Sequence, residues 1–441
     1  MKKQVNTDIE MIPCCHDTTV MTMRAETGKI KIFMAGLGTF TIDWGDGFAK
    51  ETHTLLVNDK DFTDDDKRDK FGFRHNYSDA SLHTVTIIGV NITHLTCSGN
   101  QLVSLDVSKN TALTMLACAD NQLASLNISN NIALTGLVCA DNQLSSLDVS
   151  KNTALTGLVC WNNQLSSLDV NKNIALTWLD CSDNYLKNID VSKNIALTCL
   201  DCSKNQLTCL DVNENIALTI LRCGKNQLSN LKVSQNVKLL ELQCYDNRLA
   251  NIDVSNNTAL IDFLCFDNQL SNLDVSNNTA LYRLECQNNQ LINLDVSACT
   301  SLKRLSCHAN QLASLEDNIA CLLVRIRDIR TIEVENNKYA IVFPMYRFYQ
   351  GGMYEIYLVK DGDKIFLTDE GSTYAELDKV FEMTEPDVIK NLVAIMKQYE
   401  IRKHPLSNAF TLECTPQNVH FKLSYFIQAL SFMLNMRIFY I

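Results

Sequence analysis

The chain has 441 residues, a formal net charge of −11 and 18 cysteines. This length is enough for several domains. Residues 92–324 carry 14 basic and 21 acidic side chains, so most of the negative charge falls in the middle of the chain. Nucleic-acid binding needs clustered lysine and arginine, so the charge argues against a nucleic-acid partner and favours a neutral or basic one. No stretch approaches the roughly 18 consecutive apolar residues of a membrane helix, and no membrane span is predicted.

Short stretches between residues 20 and 90 alternate apolar and polar side chains, as in Ile30–Ile32, Phe40–Asp43 and His83–Ile87. Glycines at positions 36, 38, 45 and 47 separate them. This pattern predicts a small antiparallel sheet or sandwich. The run TIDWGDG, Thr41–Gly47, resembles the strand pairs of PKD-like β-sandwich domains.

Two carboxylates flank the turn in that run. Asp43 and Asp46 could ligate calcium, but two carboxylates around a tight turn more often accept hydrogen bonds from backbone amides. We favour the second interpretation and predict no metal site and no cofactor.

Eleven cysteines recur every 21 residues from Cys97 to Cys307, and an asparagine stands three residues after each, from Asn100 to Asn310. The surrounding pattern is L-x-x-L-x-C-x-x-N-x-L, and a strict period near 20 residues with this pattern indicates a leucine-rich-repeat solenoid. The L-x-x-L-x-C run is the strand. One unit cannot bury its own apolar face, but a stack of units builds a continuous core.

Within each unit the cysteine and the asparagine have separate predicted roles. The amide of Asn121 should bond backbone groups of its own coil and of the neighbouring coil, because a buried polar side chain persists only when its bonds are made. The cysteines could form disulfides, bind zinc or act as small buried apolar residues. The third interpretation is favoured, since the thiols form a line rather than the convergent pairs of a zinc site.

The repeat LTCLDCSKNQLTCLDVNENIA, Leu197–Ala217, resembles the bacterial 21-residue leucine-rich repeats of internalin-like and Bacteroidetes proteins, cysteine ladder included. The resemblance covers about half of the chain and implies a protein-binding scaffold without naming the partner. The predicted fold is an α/β solenoid, a horseshoe of eleven coils with a parallel β-sheet. Its predicted domains are a β-sandwich-like cap at 1–91, the solenoid at 92–324 and an α+β domain at 325–441.

Outward positions of the strands on the concave face are the candidate partner-binding residues. Exposed aromatic side chains on a rigid scaffold are typical binding anchors. Trp161 and Trp178 belong to consecutive coils, so their rings are expected to lie near one another. The predicted partner-binding residues are Val138, Val159, Trp161, Trp178, Asp180, Asp201, Tyr245 and Phe266.

The period ends near residue 328, and strands are predicted over 332–342, 353–359 and 364–367, with helices over 385–399 and 419–433. Glu355–Val380 resembles the bacterial and phage family called domain of unknown function 1828, which brings no established reaction. Carboxylates at Asp361, Asp363, Asp369 and Glu370 could serve metal-dependent chemistry, but 361–363 has the composition of a hairpin turn. His404 and Cys414 lack an orienting third group. No catalytic residues are predicted.

The sequence therefore predicts a non-enzymatic, monomeric scaffold that binds another protein on its concave face. Two alternatives remain: a targeting arm that carries a C-terminal effector domain, and a surface adhesin. Cysteines without disulfide-like spacing suit a reducing compartment, and Gln4–Glu10 is polar where a signal peptide needs an apolar run. Cytoplasmic localisation is predicted, with a secreted or cell-surface protein as the alternative.

Overall fold

The structure is a computed structural model. It describes residues 19–57, 68–296, 298–307 and 309–311, together with short segments of 332–414. In that last range the described residues are 332–335, 338–347, 353–361, 364–368, 393–394, 396–398, 400–403 and 410–414. The chain divides into two compact units, residues 1–218 and 219–441, which are taken in turn.

The first unit begins with strands that belong to two sheets. They are β1 (Thr19–Glu26), β2 (Lys29–Gly36), β3 (Thr39–Asp43), β4 (Glu51–Thr54), β5 (Gly72–Asn76) and β6 (Leu82–Gly89), with a short 3-10 helix at Arg68–Phe71. The predicted alternation is confirmed in β2, β3 and β6, whose inward side chains such as Ile30, Phe40 and Val85 are buried. Gly38, Gly45 and Gly47 have positive φ angles, as the turns require.

Both sheets continue into the first coil of the repeats. Strand β7 (Ile92–Thr96) pairs antiparallel with β2 on one side of that coil, and β8 (Leu102–Asp106) pairs antiparallel with β1 on the other. The N-terminal strands β1–β6, called the cap below, are thus hydrogen-bonded to the first coil along two edges. This arrangement covers the apolar end that a solenoid would otherwise expose.

Each further coil contributes one strand of three residues. In the first unit these strands are β9 (Met115–Ala117), β10 (Gly136–Val138), β11 (Gly157–Val159), β12 (Trp178–Asp180) and β13 (Cys199–Asp201). They pair in parallel with equivalent positions opposite one another, for example Leu137 opposite Leu158. The parallel sheet predicted from the period is confirmed.

The second unit continues the same repeat. Its strands are β14 (Ile220–Arg222), β15 (Glu241–Gln243), β16 (Asp262–Leu264), β17 (Arg283–Glu285) and β18 (Arg304–Ser306). They are again parallel and in register, with Phe263 replacing leucine at the buried central position opposite Leu242 and Leu284.

The asparagine after each cysteine makes the predicted ladder. Asn163 donates from Nδ2 to the carbonyl oxygens of Cys139 (3.0 Å) and Cys160 (3.1 Å). Its Oδ1 accepts from the amide of Leu144 at 3.0 Å. Asn163 thus joins its own coil to the preceding coil, and each of these cysteine carbonyls also accepts from a second ladder asparagine.

A second column of buried asparagines stands ten residues after the ladder asparagines, as Asn152 follows Asn142. Asn152 donates from Nδ2 to the carbonyls of Ile128 (3.0 Å) and Asn131 (2.9 Å). Cys299 stands in this column near the end of the repeats, and its thiol contacts the carbonyl of Val275 at 3.5 Å. The thiol of Cys299 therefore donates to the preceding coil, as the side-chain amide of Asn278 does to the carbonyl of Val254.

The cysteine ladder is buried, and its members from Cys97 to Cys286 are free thiols. Burial raises the pKa of Cys118 and of Cys244 to about 12, so these thiols stay protonated and act as small apolar residues, as predicted. Cys307, the last member, is disulfide-bonded. The prediction of a ladder without disulfides is therefore wrong at its final position.

One corner of every coil has a left-handed backbone conformation. The residue two positions after each ladder cysteine has a positive φ angle, and only the first of these residues is glycine. They are Gly99, Asp120, Asp141, Asn162, Asp183, Lys204, Lys225, Asp246, Asp267, Asn288 and Ala309.

The C-terminal strands form an antiparallel sheet. They are β19 (Ile332–Glu335), β20 (Lys338–Arg347), β21 (Met353–Asp361), β22 (Lys364–Thr368), β23 (Arg402–Lys403) and β24 (Phe410–Cys414), in the order β19-β20-β21-β22-β24-β23. The single strand predicted over 332–342 is wrong, because β19 and β20 pair as a hairpin with Glu335 opposite Lys338. Asn336 and Asn337, which separate the two strands in the sequence, lie outside the described residues.

The other C-terminal predictions fare differently. The strands over 353–359 and 364–367 are confirmed, and Asp361 lies opposite Lys364, as the predicted hairpin at 361–363 requires. Residues 393–394 and 396–398 are helical, within the first predicted helix. The second predicted helix, together with Asp363, Asp369, Glu370 and His404, lies outside the described residues.

The cap should lose stability in acid. Asp46 contacts His75 at 2.7 Å. Burial alone would raise the pKa of Asp46, but the amide of Phe48 and the charge of His75 outweigh it and lower the pKa below its usual 3.8. A carboxyl group with a lowered folded-state pKa stabilises the fold above its unfolded pKa, and this stabilisation is lost as the pH falls.

We expect the amides of β3 and β6 to lose protection from hydrogen exchange between about pH 5 and about pH 3. The variant Asp46→Asn should show a smaller change over the same interval, after correction for intrinsic exchange. An identical pH dependence in the variant and the wild type would assign the effect to other carboxyl groups.

Candidate partner-binding face

The outward positions of the short strands form a regular surface, called the sheet face below. In most of these strands the central residue is fully buried and the two flanking residues are partly exposed. All hydrogen-bonding groups of the strand backbone point along the sheet, so the chemistry of this face comes from those flanking side chains and from the residue after each cysteine.

In the first unit the sheet face carries two exposed tryptophans, as predicted from the sequence. Trp161 is 36% exposed and Trp178 is 44% exposed. Trp178 lies opposite Gly157 of the preceding strand, where an added Cβ would meet no atom within 4 Å. Among the described ring contacts none joins Trp161 to Trp178. The expected proximity of the two rings is therefore not a direct contact.

The remaining first-unit candidates lie at strand positions of the same face. Val138 and Val159 lie opposite each other and are half-buried. Asp180 accepts hydrogen bonds from the amide (3.1 Å) and hydroxyl (2.7 Å) of Ser182, and Asp201 does the same with Ser203. These carboxylates order the chain as it leaves the strand.

In the second unit the candidates Tyr245 and Phe266 are in contact. Their rings stack with centroids 4.6 Å apart and an interplanar angle of 8°. The ring of Tyr245 covers Gly224, where a Cβ would come within 2.6 Å of the ring. Glycine at this position therefore allows the tyrosine to lie flat along the sheet face.

Sequence reasoning missed an apolar column and a set of ion pairs on the second unit. Leu240, Ile261 and Tyr282 are exposed at the position just before the strand. Arg222 forms a two-point contact with Glu241 on the neighbouring strand. The period could have revealed the apolar column, because its members stand 21 positions apart. It does not reveal the ion pair, because the register partner of Arg222 is Gln243 rather than Glu241.

The carboxylates considered for calcium instead order the TIDWGDG turn. Asp43 accepts from the amide of Gly45 at 3.0 Å, and Asp46 accepts from the amide of Phe48 at 3.0 Å. Within the described part of the chain, no group of three or more histidine, cysteine or acidic side chains is placed to hold a metal ion. The two carboxylates have the backbone role favoured by the sequence.

The period, the register and the asparagine ladder together decide the fold of the repeats. Coils of 21 residues stack in parallel, with leucine and cysteine inside and an asparagine bonded to the next coil. The middle of the chain is a leucine-rich-repeat solenoid.

Solved structures with similar folds include leucine-rich-repeat proteins of bacteria. The functional domain of InlJ from Listeria monocytogenes, which includes a cysteine ladder, is 25% identical over 76% of this chain and 88% of that chain, with a TM-score of 0.38. The internalin inlF from Listeria monocytogenes is 21% identical over 50% of this chain and 82% of that chain, with a TM-score of 0.40. YopM, a leucine-rich effector protein from Yersinia pestis, is 25% identical over 46% of this chain and 56% of that chain, with a TM-score of 0.39.

The region after the leucine-rich-repeat solenoid has a separate match. Residues 344–433 match the family described as Domain of unknown function DUF1828, in agreement with the resemblance in the sequence. No curated protein matches the chain. Among the described residues, no helix has the length and apolar character needed to cross a membrane.

Proposed function

We propose that this protein is a non-enzymatic recognition scaffold that binds another protein on the sheet face, the concave side expected of a leucine-rich-repeat solenoid. Stacked repeats present extended, rigid surfaces that are typically used for protein binding. The absence of a catalytic role remains a prediction for the C-terminal domain, whose candidate carboxylates are largely outside the described residues.

The observation that carries this proposal is the exposure of Trp161 and Trp178 on a rigid sheet. Tryptophan is enriched among residues that dominate binding energy, and a rigid scaffold loses little conformational entropy when it binds. The bare backbone at Gly157 beside Trp178 leaves room for a partner side chain to pack against the ring.

A pull-down from the lysate of the native cell tests the proposal. The double variant Trp161→Ala/Trp178→Ala should lose the partner protein that the intact chain captures, because the two largest exposed rings of this face are removed. Its melting temperature should be unchanged, because both side chains lie outside the core.

The double variant Ile174→Ala/Ile195→Ala is a matched control. These isoleucines are 62% and 61% exposed on two successive coils, away from the strand positions of the sheet face. Capture should survive in this control. Equal capture by the tryptophan variant and the intact chain would contradict a binding role for the tryptophans.

We also propose, as the alternative named from the sequence, that the protein is secreted or displayed at the cell surface. The disulfide at Cys307 supports this alternative, because disulfides persist mainly in oxidising compartments. The cytoplasmic prediction has no comparable structural support. Fractionation of the native cells, with detection of the protein in the medium or at the surface, would decide between the two.

A further inference from the structure

The position just before each short strand changes from threonine to large apolar residues within the second unit. In the first unit it is threonine, and each hydroxyl donates to the threonine carbonyl of the preceding coil, as Thr156 does to Thr135 at 3.0 Å. In the second unit the column begins with Thr219 and ends with Lys303. Between them it carries Leu240, Ile261 and Tyr282, which are 41%, 40% and 40% exposed. Three successive coils therefore have a large apolar side chain at the position that threonine occupies in the earlier coils.

A second apolar edge runs along the other end of the same strands. Tyr245 and Phe266 stack on each other one residue after the buried cysteines. Ile261 and Phe266 belong to one coil, and an extended chain rises about 3.3 Å per residue, so the two edges lie roughly 16 Å apart.

Charged side chains lie between the two apolar edges, and two arginines and two glutamates among them form ion pairs. Arg222 donates to Glu241 from Nε at 2.7 Å and from Nη2 at 3.2 Å. Arg283 donates to Glu285 at 2.7 and 2.9 Å. Two guanidinium groups and two glutamates therefore satisfy each other.

Asp262 lies between these pairs, opposite Glu241 on one side and Arg283 on the other. Its carboxylate makes no hydrogen bond and no ion pair within 4 Å to any described residue. Burial raises the pKa of Asp262 above its usual 3.8, although the nearby Arg283 opposes the rise. The carboxylate is thus partly removed from water without a donor of its own.

We propose that this strip, formed by Leu240, Ile261, Tyr282, Asp262, Tyr245 and Phe266, binds a protein segment that presents a lysine or arginine between apolar side chains. The inference rests on the proposed recognition function and specifies the chemistry of the partner. A partner that covered Asp262 without a donor would bury an unpaired charge, which is strongly unfavourable. A cationic side chain supplies the donor, and the flanking apolar side chains cover the two edges.

Two short fluorescent peptides test this proposal. Both alternate leucine and serine, and they differ only at the central position, which is lysine in one and glutamate in the other. Fluorescence anisotropy should show that the full-length protein binds the lysine peptide about tenfold more tightly, as expected for one charge-assisted contact. The variant Asp262→Asn should bind both peptides with nearly equal affinity.

Further variants distinguish the effect of the Asp262 charge from the effect of the apolar edges and from loss of folding. Asp274→Asn changes a carboxylate outside the strip, bonded to Ser276, and should keep the preference for lysine. The double variant Tyr245→Ala/Phe266→Ala should bind both peptides more weakly, because an apolar edge of the strip is removed. Asp262→Asn should melt at the wild-type temperature, since the carboxylate has no bond to lose.

Equal binding of the two peptides, no binding of either, or an unchanged preference in Asp262→Asn would overturn the proposal. The variant Trp161→Ala/Trp178→Ala should still bind the lysine peptide. Loss of the tryptophan-dependent capture and loss of the peptide preference are therefore separate results. Each proposal can fail without the other.

Discussion

Replacing Asn163 by leucine is expected to lower the free energy of unfolding by about 3 kcal/mol. One buried backbone group left without a partner costs roughly 1–3 kcal/mol, and each further hydrogen bond lost costs roughly 0.5–1.5 kcal/mol. The substitution strands the amide of Leu144 and removes one donor each from the carbonyls of Cys139 and Cys160. Those carbonyls still accept from Asn142 and Asn184. Leucine has a similar size, so the loss reports mainly on hydrogen bonding. Urea unfolding followed by circular dichroism measures it.

The matched control for Asn163→Leu is Asn130→Leu. Asn130 is an exposed asparagine of the same unit, with one bond of 3.1 Å to the carbonyl of Ser108 in the preceding coil. Water can replace that bond, so a change within about 0.5 kcal/mol is expected. Similar losses in the two variants would show that the ladder contributes no more than a surface contact.

The second large effect is expected where the cap joins the first coil. In Gly36→Ala the new Cβ would lie 2.1 Å from the carbonyl oxygen of Asn91, which is backbone and cannot rotate away. The strands β2 and β7 must separate locally, at a cost of about 3 kcal/mol, near the upper end for overpacking. Limited proteolysis should then cleave the cap faster than in the wild type.

Gly28→Ala provides the comparison for Gly36→Ala. An added Cβ at Gly28 has its nearest neighbour at 3.7 Å, an ordinary contact. Its cleavage rate should match that of the wild type. If Gly36→Ala were equally resistant, the pairing of β2 with β7 would not hold the cap in place.

The repeats were predictable because one short pattern fixes both local and long-range structure. Once the period is 21 residues, Leu137 must lie opposite Leu158, and each ladder asparagine must meet the preceding coil. The pairing of β1 with β8 and of β2 with β7 had no such signal. Antiparallel partners distant in sequence depend on the packing of the whole cap, and no local pattern records that choice.

The binding face was only partly predictable. The register identified which residues point outward, including Trp178 and Tyr245. It did not show that Ser182 donates to Asp180, or that no described residue donates to Asp262, because side-chain hydrogen bonds depend on rotamers and on local burial. The Cys307 disulfide was missed because regular spacing along the ladder indicated free thiols.

The left-handed corner beside the asparagine ladder limits how small a working piece of this protein can be. Residues such as Lys204, Lys225 and Ala309 have little intrinsic preference for a φ angle above 50°, yet they adopt it in the stack. Hydrogen bonds from the neighbouring coils, rather than the residue itself, hold that corner in place. A single excised repeat would therefore relax to other conformations, and the minimal folding unit of the protein is a group of consecutive coils.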